Sequence, residues 1–244
     1  MRKIAGLIKY HFLVLLREPI TVFLSVALPF VLLFLQQSQM GQTLADGTTM
    51  MDLAIPTFII MTIMTLCVLD LGYSHAYARQ TKFLRRLRMT PMTTTNYILS
   101  GVVGRLVVLT IFVITLITVS VLSFGVSLAD RNWLLIIGIL LLVFALFYFI
   151  GMFFANIMKT GKASQSVCNA AYFTLLFLGG IFVSIESMPA VARPIAENLP
   201  TARAIELLSS AWSGTDILVG NHLLIVSIIT VLFAAASIKF FKYE

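Results

Sequence analysis

Charge is what this 244-residue chain has least of. Asp, Glu, Lys and Arg make up 11% of it, against about 25% in soluble domains. Hydrophobic residues make up 59%, and the mean hydropathy is +1.00. Such a chain cannot clothe a soluble surface, so it is an integral membrane protein. Cysteine is scarce too: Cys67 and Cys168 both fall inside apolar runs, where a thiol behaves as a small buried hydrophobe. That excludes a disulfide framework and a zinc site. The three histidines, His11, His75 and His222, show no metal-ligand spacing. Also missing are an HExxH pair, a GxSxG elbow and a phosphate loop. TGKAS at Thr160 to Ser164 lacks the glycine five residues before its Gly-Lys and has Ala where Ser or Thr should follow. The chain is therefore expected to have no catalytic site, to hold no metal or other cofactor, and to bind no ATP through a phosphate loop.

What it has in abundance is long apolar stretches. About 20 apolar residues cross a hydrocarbon core of about 30 Å. Six runs approach that length: Ile20 to Gln36, Leu53 to Ser74, Tyr97 to Phe124, Asn132 to Met158, Ser164 to Val183 and Asn221 to Phe240. The expected fold is an all-α integral membrane protein with six transmembrane helices, forming a single transmembrane domain over residues 1–244. The net charge of +7 would suggest nucleic acid in a soluble protein, but its distribution points to lipid instead. Thirteen of the seventeen Lys and Arg residues fall before the first run, between the second and third, after the fourth, or at the end of the chain. Basic residues stay on the cytoplasmic side during insertion. Both termini are thus expected to be cytoplasmic, in the cell membrane, with no nucleic-acid partner.

Three segments outside the runs carry pattern. In residues 1–18, Arg2, Lys3, Lys9 and Arg17 share one helical sector, and Ile4, Leu7, Ile8, Phe12 and Leu15 share the other. This suits an interfacial amphipathic helix, with His11 and Leu13 out of place, and Pro19 opens the next helix. The alternative is a merely basic tail. In residues 79–92, Arg79, Lys82, Arg85 and Arg86 group on one side of a helix, opposite Phe83, Leu84 and Leu87, with Arg88 outside that sector, until Pro91 stops it. Such a helix either meets anionic lipid or docks a soluble partner. Residues 184–220 are semi-apolar and punctuated by Pro189, Pro194 and Pro200. Pieces such as Ala204 to Trp212 are too short to span, which suggests short helices dipping into the outer leaflet rather than an ordinary loop.

Two ionisable residues lie inside runs, Asp70 in the second and Arg105 in the third. Charge at membrane depth is costly and needs a reason. Each sits at a similar distance from the basic loop, so they are candidates for an intramembrane ion pair. Otherwise Arg105 would snorkel to headgroups and Asp70 would reach interfacial water. Small residues, among them Gly101 and Gly104, Gly151 and Ala155, and Gly179 and Gly180, would let helices approach closely.

In this order the elements resemble the membrane subunit of ATP-binding-cassette transporters of the type-2 exporter family, the ABC-2-type permeases, over nearly the whole chain. LLREP at Leu15 to Pro19 resembles the family's elbow, and KFLRRLRMTPMTTTNYILSG at Lys82 to Gly101 its coupling segment. GGIFVSIESMPAVARPIAENLPTARAIELL at Gly179 to Leu208 is similar to its outer re-entrant hairpin, with Met188-Pro189 and Leu199-Pro200 carrying the likeness. The resemblance implies two six-span copies, each docked on a separately encoded ATPase that binds ATP and Mg. It assigns coupling to Phe83, Leu84, Arg85, Arg86 and Leu87. The implied function is drug-exporter-like transport of a hydrophobic or amphiphilic compound: a drug, an antimicrobial compound or a lipid. A different class, a membrane sensor or scaffold that recruits a soluble partner through the basic loop without transport, fits the same residues.

Overall fold

The computed structural model describes residues 23, 27–35, 50–83, 94–128, 131–158, 160–183, 185–215 and 221–240, and for residues 79 and 94–97 the backbone alone. The expected elbow over residues 1–18 lies outside the described residues, as do residues 20–22, 24–26 and 36 of the first apolar run and Leu84, Arg85, Arg86 and Leu87 of the basic loop.

The described residues form helices and connections only. α1 is Leu28–Leu35. α2 is a long helix in three parts: an α-helical stretch Met50–Met64, a π-helical stretch Thr65–Asp70 and a second α-helical stretch Leu71–Gln80. α3 is Thr94–Phe124, α4 is Trp133–Ile157 and α5 is Gly161–Leu178. After a 3-10 turn at Ile185–Ser187 come two short helices, α6 at Arg193–Glu197 and α7 at Pro200–Ser213, and then α8 at His222–Lys239. Local chemistry sets several ends. The Asn132 and Thr160 side chains accept hydrogen bonds from the backbone N–H of Leu135 and Ala163, capping α4 and α5. Pro200 sits in the first turn of α7, and Gly214, with φ +72, closes that helix in the left-handed conformation.

Among the described residues, four helical stretches are long and apolar enough to cross a membrane: Met50–Ala78, Ile98–Phe124, Trp133–Ile157 and His222–Lys239. α5 reaches 18 residues but opens on Gly-Lys-Ala-Ser-Gln, which lowers its hydropathy. It ends at Leu178, short of the expected Val183.

The chain runs up and down. The Gly161 N–H donates to the Gln80 side chain at 2.7 Å, and Asn156 donates to the Ser237 carbonyl at 2.9 Å, so the ends of α2, α4 and α8 and the start of α5 gather near the basic loop. The α6–α7 hairpin lies at the other end. α2 forms the centre: from Ile59 to Met64 every side chain is essentially inaccessible. Around it pack Phe144, Phe147 and Ile150 of α4, Tyr172 of α5, and Leu207 and Leu208 of α7. Gly151 lets α4 cross α2 closely, since a Cβ there would lie 1.8 Å from the Cys67 carbonyl oxygen. Gly179 does the same for the hairpin, where a Cβ would meet Thr201 at 2.6 Å.

Candidate functional site

A buried polar cluster sits where α2 changes its helical pitch. In the π-helical stretch the Leu71 N–H bonds back five residues to the Leu66 carbonyl, a widening often found at functional sites. Two further bonds hold this stretch and the turn after it in place. The Ser164 hydroxyl of α5 donates to the Gly72 carbonyl at 2.8 Å, and the Thr65 hydroxyl lies 3.1 Å from the Tyr172 hydroxyl.

Asp70 ends the π-helical stretch, and its carboxylate pairs with the Arg105 guanidinium of α3. Both are buried, at 2% and 4% exposure. The rest of the guanidinium is nearly saturated. Nε donates to the same Leu66 carbonyl at 3.0 Å, Nη1 to the Gly101 carbonyl at 3.2 Å, and Nη2 also to Ser74 at 3.0 Å. Arg105 therefore turns inward rather than snorkelling. Gly101, one turn before it on α3, offers its backbone oxygen with no side chain in the way. His75, Tyr148 and Met152 close the remaining space, leaving a cavity of about 10 Å³ beside the pair. Ion pairing and fixed carbonyls make a charge tolerable at this depth. The cluster offers no nucleophile with a base and no open position for a ligand. What it can do is clamp α2 to α3.

Sequence reasoning missed a second cluster at the hairpin end. The Arg131 guanidinium, from the connection between α3 and α4, donates to Asp52 at the start of α2 and to the Trp212 carbonyl at the end of α7. It also lies 4.2 Å from the centre of the Trp212 ring. The indole N–H of Trp212 donates to the same Asp52 oxygen at 3.3 Å, and Trp133 meets that ring edge-on at 6.1 Å. One carboxylate thus ties together three segments far apart in sequence. The available signal was one charge of each sign, Asp52 and Arg131, flanking apolar runs on the same membrane face.

The residues singled out in the hairpin lie before α7 or at its start, away from this cluster. Met188 is buried and its carbonyl accepts from Arg193 Nε at 2.9 Å, whereas Pro189 is exposed. Leu199 caps α7 in an extended conformation and packs against the core, and Pro200 begins the helix. α7 buries Ala204, Leu207, Leu208, Ala211 and Trp212. Of the five basic-loop residues only Phe83 is described; it is half-buried, beside the exposed Lys82, whose φ of +57 ends the helix.

A family model for the ABC-2 type transporter matches residues 2–212, most of the chain. The chain therefore belongs to the ABC-2 type transporter family, the membrane components of ATP-binding-cassette transporters, which have no catalytic site of their own and generally work with an ABC ATPase subunit. It is a transmembrane subunit of such a transporter. No curated protein matches it.

Proposed function

We propose that this subunit exports a hydrophobic or amphiphilic compound, a drug, an antimicrobial compound or a lipid, across the cell membrane. In this reading the chain is one six-span permease domain with both termini cytoplasmic, residues 1–18 as an elbow and residues 184–220 as an outer re-entrant segment. It pairs with a second copy or a similar permease, and two separately encoded ATPases supply ATP, Mg and hydrolysis. Residues 79–92 receive the stroke, with Phe83, Leu84 and Leu87 in the ATPase groove and Arg85 and Arg86 facing its surface.

The observation that carries the proposal is the clamp between Asp70 and Arg105. The basic segment hangs between α2 and α3, and these two helices are joined by a buried ion pair about three turns above it. A displacement at the loop then moves both helices together instead of prising them apart. ATP-driven closure of the ATPases would in this way shift the balance between inward-closed and outward-open states, a mechanical rather than a chemical coupling. The apolar spans, with few fixed charges, suit an amphiphile better than an ion.

The test is co-expression with an ATPase encoded beside this chain, followed by vanadate-sensitive ATP hydrolysis of the purified complex. Leu87→Asp should abolish co-purification of the ATPase while membrane insertion stays normal, and Phe83→Asp should weaken it. Undiminished co-purification in Leu87→Asp would remove the coupling assignment. A stable permease that never stimulates an ATPase would favour a sensor or scaffold.

A further inference from the structure

α5 turns one face to the core and another outward. Ser164, Cys168, Tyr172 and Leu175 are buried, with the Ser164 hydroxyl on the Gly72 carbonyl and Tyr172 beside Thr65. Lys162, Ser166, Asn169 and Phe173, spaced by four, three and four residues, share a different face, and all four are exposed. The contacts with α2 run antiparallel, so Asn169 stands level with α2 between Gly72 and Thr65. That is less than about 10 Å from the middle of the apolar stretch Met50–Ala78, at 1.5 Å per residue. A hydrocarbon core reaches about 15 Å either side of its centre, so the Asn169 carboxamide lies inside it.

What a polar side chain costs at that depth depends on whether its own helix can satisfy it. The exposed hydroxyls of Thr110, Thr115 and Thr118 on α3 each donate to the carbonyl four residues back, at 2.7 to 2.8 Å, and Ser166 does the same to Lys162 at 3.2 Å. The buried amide of Asn156 donates to the Ser237 carbonyl. The Asn169 carboxamide makes no hydrogen bond among the described residues. It carries two N–H donors and an acceptor oxygen, and lipid tails offer a partner to neither.

We propose that α5 meets the α5 of a second copy of this chain along this stripe, with the two Asn169 side chains bonded to each other. Two copies inserted in the same orientation are related by an axis normal to the bilayer, which sets the two α5 helices parallel and Asn169 opposite Asn169. Each amide then donates to the other's oxygen, so the face is complementary to itself. The spacing of four and three is that of a helix seam, where a single amide also fixes register. Ser166 and Asn169, with Ala170 beside them, are small enough for close approach. Lys162 does not oppose the contact. Gly161 is tied to Gln80 at the end of α2, so the neighbouring ammonium reaches the membrane surface and turns to water. Phe173 continues the seam with apolar contact toward the hairpin end. The inference deepens the reading of paired permease copies and rests on it.

The full chain is expressed with single added cysteines, and disulfides are formed with copper phenanthroline in the native membranes. Cys67 and Cys168 are buried, so the unchanged protein sets the baseline. Ser166→Cys, Asn169→Cys and Phe173→Cys should give dimers at about ten times the yield of Ile111→Cys on α3 and Val231→Cys on α8, which are also exposed. In detergent, Asn169→Leu should lower the dimer fraction several-fold, and Asn169→Gln, which keeps the amide, should retain most of it. An unchanged dimer fraction in Asn169→Leu would overturn the amide pair. Disulfides at Ile111→Cys or Val231→Cys rather than along α5 would overturn the proposed face and leave the pairing of copies intact. So would an Asn169→Cys thiol that forms no disulfide: reaction with a membrane-impermeant maleimide would place it on a water-filled route, and inertness would give the face to lipid. Monomers in every variant, and in the unchanged protein treated with a lysine cross-linker, would overturn the pairing of copies as well.

Discussion

The two charge clusters use the same chemistry at opposite ends of the bundle, yet they are built differently. Asp70 and Arg105 belong to consecutive helices, are almost inaccessible, and draw on backbone carbonyls already fixed by helical structure. Asp52 and Arg131 remain 13% and 12% exposed at the side chain, and depend on Trp212 from a third segment for both a carbonyl and a ring. The first cluster is a clamp within the membrane-spanning framework; the second is a fastening that holds the hairpin onto it. In the low-dielectric interior the cost of breaking a pair rises sharply, because the abandoned charge has nowhere to go. Near an interface, water takes over part of that role.

The largest effect should therefore come from orphaning a charge at the inner pair. Arg105→Met leaves the Asp70 carboxylate buried, and a loss of about 3–5 kcal/mol is expected for a broken buried pair. It should appear as a collapse in folded yield and in thermal stability in detergent. The double variant Asp70→Asn/Arg105→Met should be more stable than Arg105→Met alone, since no uncompensated charge remains. If the double change is additive, the two residues do not act as a pair.

Gly151 sharpens the same point through packing. A methyl there would fall 1.8 Å from the Cys67 carbonyl, in the π-helical stretch that presents Leu66 and Asp70 to Arg105. Gly151→Ala must push α4 away from α2, and about 1–3 kcal/mol of overpacking is expected. The stability of Gly138→Ala, where the added carbon meets nothing within 4 Å, serves as the control, and should equal or exceed that of the unchanged protein.

These contrasts also show what could be read from the letters alone. The positions of Asp70 and Arg105 were informative because charge inside an apolar run is rare and because both count back to one loop. The helices Trp133–Ile157 and His222–Lys239 fall within a residue of the expected runs, since uninterrupted hydropathy marks them. α2 runs further at both ends than expected, from Met50 to Gln80, because hydropathy fades at Tyr73 to Gln80 while helical hydrogen bonding does not. The π-helical stretch left no trace in composition. The meeting of Asp52, Arg131 and Trp212 left only one charge of each sign on one membrane face, because each residue alone is an ordinary interfacial side chain and only the hairpin's return brings them together.

The outer cluster should yield smaller and more conditional effects. Arg131→Met removes bonds to Asp52 and Trp212 and the contact over the indole, and a loss of about 1.5–3 kcal/mol is expected for charged hydrogen bonds. Trp212→Phe keeps the ring under the guanidinium but loses the N–H bond to Asp52, and about 1 kcal/mol is expected. Ionic strength separates the two ends most finely. Salt screens charges that water reaches and leaves buried pairs nearly untouched. Raising salt from 0.05 to 0.5 M, values chosen on the order of those that shorten the Debye length several-fold, should narrow the thermal-stability gap between Arg131→Met and the unchanged protein. The gap for Arg105→Met should stay constant, because mobile ions do not enter a site closed by Tyr148, His75 and Met152. Equal salt dependence at the two sites would mean that water reaches the inner pair as well, and the clamp between α2 and α3 would then be no tighter than the fastening at the hairpin.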